Sequence, residues 1–143
     1  MYRFLPACLL LAVVAPVSVS AQSSPENLAA RCVAELEEIR QRNEIAAADQ
    51  TEACVRTINA LQAQGRDEAA IQVARQCVSA ARERTEDAAS LANRICNACV
   101  DQLLSLGYPD LARRVNHKCD SVLENLRSVL QRQIFAIKQA LED

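Results

Sequence analysis

Beyond an apolar leader, the hydrophobic positions of this chain recur every three or four residues, the spacing of a helix face and not of a strand. Leu28, Cys32, Leu36 and Ile39 make one such stripe; Ala70, Val73, Cys77 and Ala81 make a second. Ala92, Cys96, Cys99 and Leu103 make a third. Start and stop residues cut the pattern into five predicted helices. Ser24-Pro25-Glu26 supplies an N-cap, a proline at N1 and a first-turn acid. Asp49 with Glu52 reads as a capping-box variant that opens a second helix, closed by Gly65 just after Gln64. Asp67 caps a third helix and Thr85-Glu86-Asp87 opens a fourth. Gly107-Tyr108-Pro109-Asp110 ends the fourth and starts the fifth. The expected fold is an all-α, antiparallel helical bundle.

The leader changes what counts as the domain. Residues Met1 to Ala21 read as a secretory signal peptide: Arg3 gives a positive start, Leu5 to Val19 is almost wholly apolar, and Val19-Ser20-Ala21 offers small residues for cleavage. The apolar stretch is about 15 residues, short of the roughly 20 that span a bilayer. One domain, residues 22–143, remains, with no further segment that could cross a membrane. Without Arg3, 15 basic residues face 18 acidic ones, with both signs interspersed. That balance argues against nucleic acid or an anionic membrane as partner.

Composition narrows the class further. Only 2 of the 143 residues are glycine, where an average chain would carry about ten. Phosphate-cradling loops, nucleophile elbows and the dense turns of β-sandwiches all need more glycine than that. The two that exist are 42 residues apart, and the same offset places Cys54 on Cys96 and Cys77 on Cys119. It also matches Leu61 with Leu103, Ala70 with Ala112, Val73 with Val115 and Ser79 with Ser121. The pattern reads as a duplicated αα-hairpin with turns at Gly65 and Gly107. The turn, with a small residue five positions after the glycine, resembles the helix-turn-helix of tetratricopeptide repeats over about a dozen residues per copy. The period and the missing aromatic positions depart from that family, so the likeness implies hairpin packing only.

Six cysteines lie outside the leader: Cys32, Cys54, Cys77, Cys96, Cys99 and Cys119. An even number in a small exported domain points to disulfides. In an antiparallel hairpin, residues equally far from the turn lie at equal height. Eleven residues on one side of each glycine and twelve on the other differ by about 1.5 Å along the axis. Cys54 is thereby expected to pair with Cys77, and Cys96 with Cys119. Cys32–Cys99 is left as the third bridge, provided the chain reverses between Asn43 and Asp49. In the alternative, a continuous helix from Pro25 to Gln64 would carry Cys32 about 33 Å from Cys54 and leave it free or bridging two chains.

No catalytic constellation emerges, and no cofactor is implied. Cys96-Asn97-Ala98-Cys99 lacks the following histidine of haem attachment and sits in mid-helix, where no dipole activates a thiol. His117 stands alone, and Glu37-Glu38 and Glu86-Asp87 read as solvated helix surface. A thiolate site for Cu(I) or Zn(II) built on Cys96, Cys99 and Cys119 is the alternative, similar in outline to the cysteine-lined four-helix copper-storage proteins. A carrier of small apolar ligands is the third reading. The interaction surface is expected on the helix over 110–142, which outruns a bundle exhausted near Val129. There Leu130, Ile134, Ile137 and Leu141 keep a coiled-coil 4-3-4 spacing, unless they fold back against Ile45. The sequence therefore describes an extracytoplasmic, disulfide-stapled helical protein, not an enzyme, that binds a protein partner or itself.

Overall fold

A computed structural model describes residues 24–142 and gives three helices: α1 over Pro25–Ala63, α2 over Asp67–Ser105 and α3 over Pro109–Glu142. The leader predicted at 1–21 lies outside the described residues. The five-helix expectation is corrected by the length of α1 and α2, 39 residues each, or about 58 Å of rod. Both supposed breaks fall inside a helix. Thr85 turns its hydroxyl back to donate to the Ala81 carbonyl at 2.8 Å, and Thr51 does the same to Ala47 at 2.7 Å. A hydroxyl that back-bonds in this way is accommodated within a helix and caps nothing. Capping residues open a helix only where the chain before them turns, and neither stretch contains a turn.

The real turns are the two glycines. Among the described residues only Gly65 and Gly107 have positive φ, 67° and 83°, a region that costs a residue with a Cβ about 1 kcal/mol or more. The two corners close identically. Gly65 N–H donates to the Gln62 carbonyl at 2.8 Å and Arg66 N–H to Leu61 at 2.9 Å; Gly107 donates to Leu104 at 3.0 Å and Tyr108 to Leu103 at 2.9 Å. This is the Schellman pattern, which satisfies the last carbonyls of α1 and α2. Five residues on, Ala70 and Ala112 are buried, where a larger side chain would push the paired helices apart.

The helices thus run up, down and up, with α1 parallel to α3, and every pair packs together along the bundle. The seam of α3 alternates steps of three and four as far as Gln133 and then takes a second step of four: Ala112, Val115, Cys119, Val122, Leu126, Val129, Gln133, Ile137 and Ala140 are all buried. The apolar core falls into two clusters. One, toward the Gly107 end, holds Leu36, Leu103, Val115, Val122 and Leu126; the other, toward Gly65, holds Ile58, Ala70, Ala74, Ile137 and Ala140. Between them the seam turns polar, at Asn43, Thr85 and Gln133.

Candidate functional site

The cysteines lock the three rods together. Cys32 is joined to Cys99 and Cys54 to Cys77, each with Cα atoms 6.3 Å apart, and Cys96 to Cys119 at 6.1 Å. No reversal near Asn43 is needed for the Cys32 bridge. Cys32 lies 33 residues before Gly65 and Cys99 34 after it, so two uninterrupted helices bring them to the same height. The expectation that a continuous α1 would strand Cys32 is corrected, because α2 is equally long. Cys96 and Cys99 reach in different directions, to α3 and α1, and their two bridges tie all three helices at one level. Bonded sulfurs have no thiolate to offer a metal, and no group of three or more metal-ligating side chains occurs among the described residues. The bridges indicate an oxidising, extracytoplasmic environment, and no described helix is long and apolar enough to cross a membrane.

The stripe predicted as an interaction surface lies elsewhere than at an open seam. Ile137 is fully buried; Leu130, Ile134 and Leu141 are half-buried, with Leu141 packed on the cluster near Gly65. Because α1 and α2 span the full bundle, α3 never runs past them. Ile45 points outward, 64% exposed, and does not receive the stripe. Large exposed apolar side chains stand singly at Ile45, Leu91 and Phe135, the last 65% exposed on α3, and three more come together in sequence at the Gly107 corner, where Leu104, Leu106 and Tyr108 are 51%, 54% and 41% exposed. His117 is exposed on α3.

A polar layer that sequence reasoning missed crosses the middle of the bundle. Arg84 of α2 donates from Nε to Asn43 Oδ1 at 3.2 Å, from one terminal nitrogen to Gln133 Oε1 at 2.6 Å, and from the other to Gln50 Oε1. Gln133 Nε2 donates in turn to Gln50 Oε1 at 3.0 Å and to the Ala47 carbonyl at 3.2 Å. All three helices contribute, and among the described residues no carboxylate pairs with the guanidinium. Burial pushes the Arg84 pKa down, the expected response of a cation without a counter-ion. The signal was present: Asn43 and Gln133 occupy core positions of otherwise apolar stripes, where a polar residue must find partners. Above the layer, a groove between α1 and α2 of about 370 Å³ is lined by Ile39, Asn43, Arg84, Ala88, Leu91 and Ile95, among others.

A second polar cluster ties α1 to α3 at the surface. Glu37 accepts from Arg40 Nε at 2.9 Å and from Lys118 at 2.6 Å. Arg40 and then Lys118 hold the Glu37 carboxyl down to about 2. Glu44 accepts from Asn125 at 2.9 Å, and that bond, followed by Arg40, lowers its pKa. These groups sit at the bundle margin and clamp α1 to α3; Glu44 and Lys118 also line shallow surface grooves. Comparison of the chain with protein-family models, with curated proteins and with solved structures gives no match.

Proposed function

We propose that this protein is exported and serves as a rigid helical scaffold that presents its Gly107 corner to a protein partner. It works by binding, not by catalysis. The observation that carries this reading is the corner itself: Leu104, Leu106 and Tyr108 leave a cluster of large apolar groups in water. A cluster of that kind at a fixed tip favours a protein contact. Two bridges on the same end, Cys32–Cys99 and Cys96–Cys119, limit the conformational entropy that binding would cost. The two matching corners are read as a repeated αα-hairpin whose middle helix is shared.

The test is a photo-crosslinking amino acid placed at Leu106, with exposed Glu86 as the control position, in the extracytoplasmic fraction of the source cell. A discrete adduct from position 106 and none from 86 is expected; an adduct of twice the monomer mass would identify the partner as a second copy. Identical patterns from the two positions overturn the proposal. A free-thiol assay on the exported protein separates it from the thiolate-metal reading: no reactive thiol is expected, whereas six thiols with bound metal would overturn the scaffold.

A further inference from the structure

The groove between α1 and α2 is apolar along its length and cationic at one end. On α2 its lining residues, Arg84, Ala88, Leu91 and Ile95, follow a 4-3-4 spacing and so share one helix face. From Arg84 to Ile95 the helix rises about 16 Å. Ile39 and Ala46 form the facing wall on α1, and Glu35, Glu38 and Arg42 line it as well. Glu38 is paired with Arg42. Leu91 is 41% exposed in the groove, an apolar side chain held toward water.

Two observations show that the Arg84 end lacks an acceptor. The guanidinium carries five N–H groups; three take amide oxygens, and its charge meets no carboxylate among the described residues. Asn43, also lining the groove, is only 4% exposed, and its Nδ2 has no hydrogen-bond partner. A buried amide donor left unmade costs about 1–3 kcal/mol. The layer therefore has spare donors, a net positive charge and no spare anion. Its own acceptors are in use: Asn43 Oδ1, Gln50 Oε1 and Gln133 Oε1 all accept from Arg84.

We propose that this groove binds a medium-chain alkyl carboxylate, its head on Arg84 and Asn43 and its chain along Ile39, Ala88, Leu91 and Ile95. A carboxylate is acceptor-only, with about four lone-pair sites. It takes the free N–H groups of Arg84 and, with a turn of the Asn43 side chain, Nδ2. The charge-assisted bonds form in a partly dehydrated site, where they are stronger than in water. The chain removes the exposed flank of Leu91 and its neighbours from solvent, at about 25 cal/mol per Å². Glu35 and Glu38 at the far end repel a carboxylate there, so the ligand enters in one direction only. This inference is independent of the Gly107 corner.

The experiment is a titration of the exported, oxidised protein with decanoate and with decanol, followed by amide and methyl NMR shifts. Decanoate should saturate a single site, move Ile39, Ala88, Leu91 and Ile95, and bind about tenfold tighter than decanol. Arg84→Gln should abolish that preference. Leu91→Asp, at a half-exposed position outside the Arg84 layer, should weaken decanoate about tenfold while leaving the fold intact, and it keeps the test decisive if Arg84→Gln does not fold. Absence of saturable decanoate binding, equal affinity for decanol, or shifts centred away from these four residues would each overturn the proposal.

Discussion

The two ends of this bundle turn on matching glycine corners and are held to different degrees. The Gly107 end has two bridges that reach all three helices, and a core of Leu36, Leu103, Leu126, Val115 and Val122. The Gly65 end has one bridge, between α1 and α2 only, and a core in which Ala70, Ala74 and Ala140 stand beside Ile58 and Ile137. There the last turns of α3 are held by packing and by a 3.3 Å hydrogen bond from Gln62 to the Leu141 carbonyl. Small side chains let helices approach closely but bury little area each. The difference teaches that covalent and apolar stabilisation are concentrated together at one end, with the Arg84 layer as the boundary.

Removing the long-range bridge should break the comparison most. Cys32→Ala with Cys99→Ala opens a loop of 67 residues and is expected to cost about 4 kcal/mol. Cys54→Ala with Cys77→Ala, a loop of 23, should cost about 3 kcal/mol, and denaturant midpoints of the two variants rank them. Next come the cores. Leu126→Ala should cost about 3 kcal/mol and lower the global melting temperature. Ile137→Ala, equally buried, should show first as local opening: hydrogen exchange speeds up over 133–142 and stays slow over 112–126.

The boundary layer ranks third. Arg84→Ala leaves the amide oxygens of Asn43 and Gln133 without a donor, while Gln50 keeps the one from Gln133, and is expected to cost about 2 kcal/mol, read by chemical denaturation. A neutral or stabilising result would mean that the layer contributes register and no stability. The smallest effect belongs to Glu37, at the Gly107 end. Its folded pKa, about 2, lies below the ordinary 4.5, so its contribution is complete above about pH 4.5 and lost as pH falls toward 2. Melting curves of wild type and Glu37→Gln should differ slightly at pH 6 and converge near pH 2. A gap that persists there would assign the effect to packing.

Helix content, the two corners and the in-register cysteines were legible, because each depends on local spacing or on a glycine that no other residue replaces cheaply. Helix continuity was not. Asp49 and Glu52, and Thr85-Glu86-Asp87, carry the composition of helix starts, and only packing distinguishes a start from a polar patch on a continuing rod. That one misreading shortened the bundle and left Leu130, Ile134, Ile137 and Leu141 without neighbours. It also hid the Arg84 layer, whose members come from positions 43, 50, 84 and 133 and mean nothing until three full-length helices are laid side by side.

By itself the sequence determined what is counted along the chain: that it is helical, where Gly65 and Gly107 turn it, and that Cys54 meets Cys77 and Cys96 meets Cys119. These follow from a fixed rise per residue and from the one residue type that adopts positive φ freely. Only the tertiary structure decided how far each helix runs, what covers the end of α3, and that an arginine without a counter-ion lies beneath an apolar groove. Those are properties of side chains meeting across helices, where burial and unmet hydrogen bonds set the outcome and local spacing is silent.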